Sequence, residues 1–159
     1  MDPQQQQYLR RQLIKHIEGG EAFLPLEDIL PKIPFEKTGV VPTDLPYSLW
    51  QIVYHIRFAQ KDILEFSRNP EYVAPQWPDD YWPTSVFPEN HELWESTVHA
   101  YYKERDEFIS LIMNPKVDLF EPFGHGEGQT LFREALLVIE HNGYHAGQLV
   151  VLLRLLGLY

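Results

Sequence analysis

The segment from residue 69 to residue 88, NPEYVAPQWPDDYWPTSVFP, constrains this chain more than any other. Prolines at 70, 75, 78, 83 and 88 fix φ and remove amide donors at intervals that no regular element survives. A connection this long without secondary structure is uncommon in a compact domain and signals either function or a long crossover. Extended, it spans about 60 Å, enough to travel the full length of a helical bundle. The helices on either side of it are therefore free to run parallel. Its aromatic residues Tyr72, Trp77, Tyr81, Trp82 and Phe87 predict that it packs onto the body of the protein.

The flanking sequence is helical in pattern. From Tyr47 or Ser48 to about Arg68, the apolar residues Leu49, Ile52, Val53, Ile56, Ala59, Ile63 and Phe66 follow the helical period. From Glu89 to Met113 the same holds for Leu93, Trp94, Val98, Tyr101, Phe108, Leu111 and Ile112. A last helix runs from an N-cap at Thr130 to Leu156, about 40 Å, with Gly157 at the C′ position. At the other end, Asp2-Pro3 supplies an N-cap and a first-turn proline for a helix to about Glu18. Its Leu13, Ile14 and Ile17 share one side, Gly19-Gly20 stops it, and Arg10, Arg11 and Lys15 read as its solvated face. EAFLPLEDIL adds a short helical turn or two, and PKIPFEKTGVVPTDLP is a proline-punctuated loop. NPKVDLFEPFGHGEGQ is a turn-rich connector with room for a small hairpin. Four long helices, with no strand–helix alternation, no repeat and no Gly-rich phosphate loop, predict an all-α fold: a four-helix bundle forming one domain over residues 1–159.

Several functions are disfavoured by composition. The 13 basic residues against 23 acidic ones give a formal charge of −10, the wrong field for binding phosphates, so no nucleic-acid partner is expected. The sequence has no cysteine, which removes disulfides, thiolate metal sites and a cysteine nucleophile. MDPQQQQYLR lacks the features of a signal peptide, and Arg154 interrupts the best apolar run before it reaches the roughly 20 residues a bilayer requires. The expectation is a soluble, cytoplasmic protein without a membrane partner.

Against this background the last helix is unusual. Leu131, Val138, His141, His145, Leu149, Leu152 and Leu156 fall on one stripe, so two imidazoles occupy the core-facing side. Residues i and i+4 stand about 6 Å apart, near enough to share a metal ion. His55 flanks the apolar stripe of the second long helix, close to its middle, and is placed to meet them if the two helices pack together. Any one of these reads as an ordinary hydrogen-bonded core histidine. Three in one place would be costly to bury unsatisfied, and a divalent cation bound by the neutral rings removes that cost. His16, His91 and His99 lack partners at ligand spacing, and His125 in GHGEG reads as a solvated loop residue.

The segments LFREALLVIEHNGYHAGQLVVLLRLLG and PYSLWQIVYHIRFAQKDILEF resemble the last and second helices of the DinB-like superfamily, which includes the YfiT-like metal-dependent hydrolases. The resemblance rests on His-x3-His-x-Gly-Gln together with Trp50 upstream of His55, and WPDDYWP is similar to a loop in one branch. It extends over nearly the whole chain, though only the two histidine segments are specific. It implies an up-down-down-up bundle, which agrees with the long crossover between the second and third helices. It also implies that His55, His141 and His145 hold zinc or nickel, and that the protein is a homodimer. Gly143 departs from the family pattern, where alanine or a larger residue is usual, and permits either close helix approach or a local distortion.

Three neutral imidazoles leave a dication's charge uncompensated and a coordination position open, the pattern of a catalytic site. An ion so held lowers the pKa of bound water, giving hydrolysis, or holds an exogenous thiol as thiolate. The second route gives transfer of a low-molecular-weight thiol to an electrophilic small molecule, as in relatives that use bacillithiol, mycothiol or glutathione. The leading expectation is thus a thiol S-transferase, with a hydrolase close behind and a non-catalytic ligand-binding or dimeric interaction bundle as the rival. Asp62 and Gln148 are the candidate supporting groups beside the histidines, although Asp62 reads more simply as a surface acid. Tyr144 and Asn142 flank the pair and are candidates to line a cavity.

Overall fold

A computed structural model describes residues 1–19, 22–43 and 45–159. Gly20 of the expected helix stop, Glu21 of EAFLPLEDIL and Asp44 of the following loop lie outside the described residues. Among the described residues five α-helices are present: α1 (Pro3–Ile17), α2 (Leu26–Ile29), α3 (Leu49–Arg68), α4 (His91–Met113) and α5 (Leu131–Leu155), with short 3-10 turns at Leu30–Lys32, at Phe35–Lys37 and, within the proline-rich segment expected to hold no regular element, at Asp79–Tyr81. Among the described residues there is no β-strand, and the fold is all-α.

Each long helix begins where a side chain can accept the orphan amides of its first turn. Asp2 accepts from the Gln5 amide at 2.8 Å while the Gln5 side chain accepts from the Asp2 amide, a capping box. Ser48 and Gln51 repeat the device at α3. Asn90 caps α4 and so sets its start at His91, two residues later than the pattern places it. Thr130 caps α5 as expected, and Gly157, at φ +70°, closes its far end. Where a small hairpin was expected before α5, the connector has turns and one isolated antiparallel bridge between Pro122 and Thr130.

α3 packs against both α4 and α5, and α1 packs against the same two helices from the other side. From the first turn of α3 to its last, the contacts move from the first turn of α4 to later ones, with Gln60 reaching the Tyr101 carbonyl on the way. Trp50 meets Trp94 near one end, Arg57 pairs with Glu104, and Arg68 reaches Glu107 at 2.7 Å near the other. These two helices are parallel, as the length of the crossover allows. The buried side chains form two clusters. One gathers Leu49, Trp50, Ile52 and Ile56 with Ala146, Leu149 and Leu152. The other gathers Leu13, Ile17, Ile63, Leu64 and Phe108 with Leu131, Ala135 and Val138. On α5 the histidines fall between Val138 and Ala146, at the seam of the two clusters.

One surface expectation is corrected. Arg10 is buried at 6% exposure, not solvated. Its guanidinium donates to the carbonyl oxygens of Ile112, in the last turn of α4, and Val117 beyond it. Those carbonyls lack helical partners, and the negative end of the helix dipole attracts the cation. The polar tip made Arg10 look exposed in sequence, yet its stem runs beside Leu13 and its charge is consumed by a helix end.

Candidate metal centre

His55 lies in the middle of α3, and His141 and His145 lie one turn apart on α5, so the α3–α5 contact brings three rings together. One nitrogen from each can be chosen so that all three atoms are within 4.8 Å of one another. The ring centroids are 4.9 Å apart for His55–His141, 4.7 Å for His55–His145 and 4.5 Å for His141–His145. His55 and His145 are buried and His141 is half-buried.

The outward nitrogens define how the rings point. His55 Nδ1 stands 3.1 Å from the carbonyl oxygen of Tyr81, which can only accept, so the proton sits on Nδ1 and Nε2 presents a lone pair. His145 Nδ1 donates in the same way to Gln148 Oε1 at 2.6 Å. His141 Nε2 stands 3.0 Å from His55 Nε2. Its Nδ1 makes only a long 3.5 Å approach to Asn142 Oδ1. Burial holds His141 and His145 down to pKa values of about 4, and lowers His55 as well, so at neutral pH all three are uncharged donors of lone pairs. Two ligand nitrogens about 2.0–2.1 Å from a tetrahedral ion stand about 3.3 Å apart, close to the 3.0 Å between His141 Nε2 and His55 Nε2. The residues present fit a divalent transition metal.

The proline-rich segment builds the other wall. Trp82 lies flat on the His55 ring, centroids 4.0 Å apart and planes 3° from parallel. Asp62, which reads as a surface acid in sequence, accepts hydrogen bonds from the hydroxyls of Tyr72, at 2.6 Å, and Tyr81. The reading changes because the crossover folds back over α3 and covers this carboxylate. A cavity of about 370 Å³ opens beside the histidines, and Asp62, Tyr81, Trp77 and Tyr144 are among its walls. Tyr144 sets its edge against His145 at 4.9 Å and lines the cavity, but Asn142 is buried beside His141 instead. At Gly143 what approaches closely is a loop side chain and not another helix: a Cβ there would meet the ring of Phe23 at 3.2 Å.

The remaining histidines are elsewhere. His125 is exposed and rests on Phe66, His91 stands by Glu95 and Phe35, His99 is exposed on α4, and His16 lies in the last turn of α1. Trp50 is buried among Tyr54 and Trp94, in the core and not in the cavity wall. Sequence reasoning missed Trp82 and the Tyr81 carbonyl. Their signal was the aromatic density of residues 72–87, which announced packing without saying against what.

A helical bundle whose core seam holds three convergent, neutral histidines defines a class compatible with metal-dependent enzymes. The DinB superfamily profile matches residues 25–149, and the chain belongs to that superfamily. No curated protein and no solved structure matched.

Proposed function

We propose that this protein is a metal-dependent enzyme in which His55, His141 and His145 hold a divalent transition metal, zinc or nickel, and that it transfers a low-molecular-weight thiol to a small electrophile. The observation that supports this best is the pairing of outward and inward nitrogens: Tyr81 and Gln148 consume the Nδ1 protons of two rings, which leaves their Nε2 lone pairs facing inward. A bound dication would supply Lewis acidity to a thiol or a water in the cavity.

The chain's own groups do the rest. The Tyr81 carbonyl and the Gln148 amide hold the tautomers, and such outer partners commonly govern ligand orientation. Ala59, Ile63 and Leu137 give the cavity an apolar lining. Asp62 is the carboxylate in that wall and the acceptor for the thiol proton as the sulfur–carbon bond forms and the leaving group departs. The apolar lining favours thiol transfer over hydrolysis, which would use the same centre with water as nucleophile. A homodimer in a reducing cytoplasm completes the reading.

Elemental analysis of protein purified without added metal, followed by metal titration, tests the centre. The reading predicts about one zinc or nickel per chain, lost in His141→Ala. Assays pairing glutathione or bacillithiol with an activated aryl halide test the reaction. Turnover unaffected by His141→Ala would overturn it.

A further inference from the structure

The outward face of α5 is not built for water. Leu136, Tyr144, Val151 and Leu155 recur along it at helical spacing, each between 46% and 66% exposed. The outward positions of α4 carry Glu95, Ser96, His99, Lys103, Asp106 and Ser110 instead, as a solvated helix does. Gly147 stands midway along the α5 stripe, and a Cβ there would meet nothing within 4 Å. Glycine is unfavourable inside a helix, and at an open position it suits the close approach of another backbone. A contiguous apolar stripe of this kind marks an interface.

The charges on the stripe choose its occupant. Glu140 and Arg154 lie seven residues to either side of Gly147, and residues seven apart share one helix face. Among the described residues neither forms an ion pair within the chain, and Arg154 only rests over the ring of Tyr159. A second copy crossing antiparallel about a twofold axis at Gly147 sets each Glu140 opposite Arg154 of the partner subunit. The face then complements itself in charge as well as in apolar character, whereas a parallel copy would oppose like charges.

We infer that α5 docks against α5 of a second copy of this chain in this antiparallel register. This deepens the homodimer of the reading above, but it concerns the helix surface and not the metal. Tyr144 belongs both to the stripe and to the wall of the cavity beside the histidines, so the second copy covers one lip of each cavity.

Sedimentation velocity of the full chain across micromolar concentrations tests this, and a mass of two chains is expected. Glu140→Arg or Arg154→Glu alone sets like charges together and should weaken the dimer at least about tenfold. The two combined restore opposite charges across the axis and should bring the dimer back. Val151→Asp should give a monomer, and because these positions are exposed, circular dichroism should be unchanged in every variant. Nitration by tetranitromethane, read by mass spectrometry, should modify Tyr144 more slowly than the exposed Tyr8 in the dimer and at a similar rate in Val151→Asp. A monomer at every concentration, a dimer indifferent to Val151→Asp, single reversals that the double variant does not repair, or a Tyr144 nitrated equally fast in dimer and monomer would overturn the inference. None of these readouts needs the metal, so failure here is separate from failure of the metal reading, which elemental analysis reports.

Discussion

Tyr81 and Tyr72 donate to the same carboxylate, yet only Tyr81 also carries the carbonyl that holds His55. Replacing each by phenylalanine therefore separates a loss of stability from a loss at the site. Burial, with the Asp62 carboxylate accepting from both, raises the two phenols well above their ordinary range, so both remain protonated donors. A hydrogen bond to a charged acceptor contributes about 1.5–3 kcal/mol when desolvated, and half-exposure reduces this to about 1–2 kcal/mol. Both variants should lose about that much in urea unfolding of the metal-free protein. Metal affinity should divide them. Tyr81→Phe keeps the backbone carbonyl on His55 but releases the hydroxyl that anchors it to Asp62, so it should weaken zinc binding several-fold in a chelator competition. Tyr72→Phe has no such link to a ligand and should change affinity less than about twofold. Equal affinities for the two variants would refute the idea that the crossover positions His55.

Other consequences are more direct. Arg10→Met strands the carbonyls of Ile112 and Val117 and should cost about 2–4 kcal/mol, read as a lower urea midpoint with an unchanged slope. In the metal-free protein His141 and His145 titrate near 4, against about 6.5 in the unfolded chain, so the unfolded state binds more protons between these values. Stability should therefore rise with pH across that window and fall as pH drops from about 6.5 towards 4, and urea midpoints at pH 7 and pH 5 check the sign. Gly143→Ala should not show the usual helix gain of about 0.5–1 kcal/mol, because its methyl meets Phe23, and adding Phe23→Leu should recover part of it. Chelation should lower the melting temperature of protein purified with its metal, and excess zinc should restore it.

The elements that read clearly in sequence are those governed by local rules. Caps at Asp2, Ser48 and Thr130 and the stripes of α3 and α5 depend on residues a turn apart, and the all-α fold follows from them. The DinB resemblance was legible in the same two histidine segments. Arg10 and Asp62 were misread because their partners lie far along the chain: 102 residues separate Arg10 from Ile112, and 19 separate Asp62 from Tyr81. Neither carries a periodic signal. A charge and its remote acceptor become visible only once helices are docked. Trp82 is a related case, since its place over His55 depends on how an irregular segment turns, and prolines specify where helices cannot form without specifying the path taken.

That path has a consequence for how such a protein can change. The crossover must carry the chain back from the end of α3 to the start of α4, so its span is set by a helix of 20 residues, about 30 Å. Tyr72, Tyr81 and Trp82 are tied to Asp62 and His55, while Val73, Trp77 and Val86 stand exposed. A stretch whose reach is fixed and whose anchors are few can be rewritten at its exposed positions without disturbing the scaffold, much as the handle of a tool can be kept while the bit is exchanged. Diversification of what is recognised here would concentrate in the exposed positions of residues 70–88, while Tyr72, Tyr81 and Trp82, His55 on α3 and the histidine pair on α5 stay as they are.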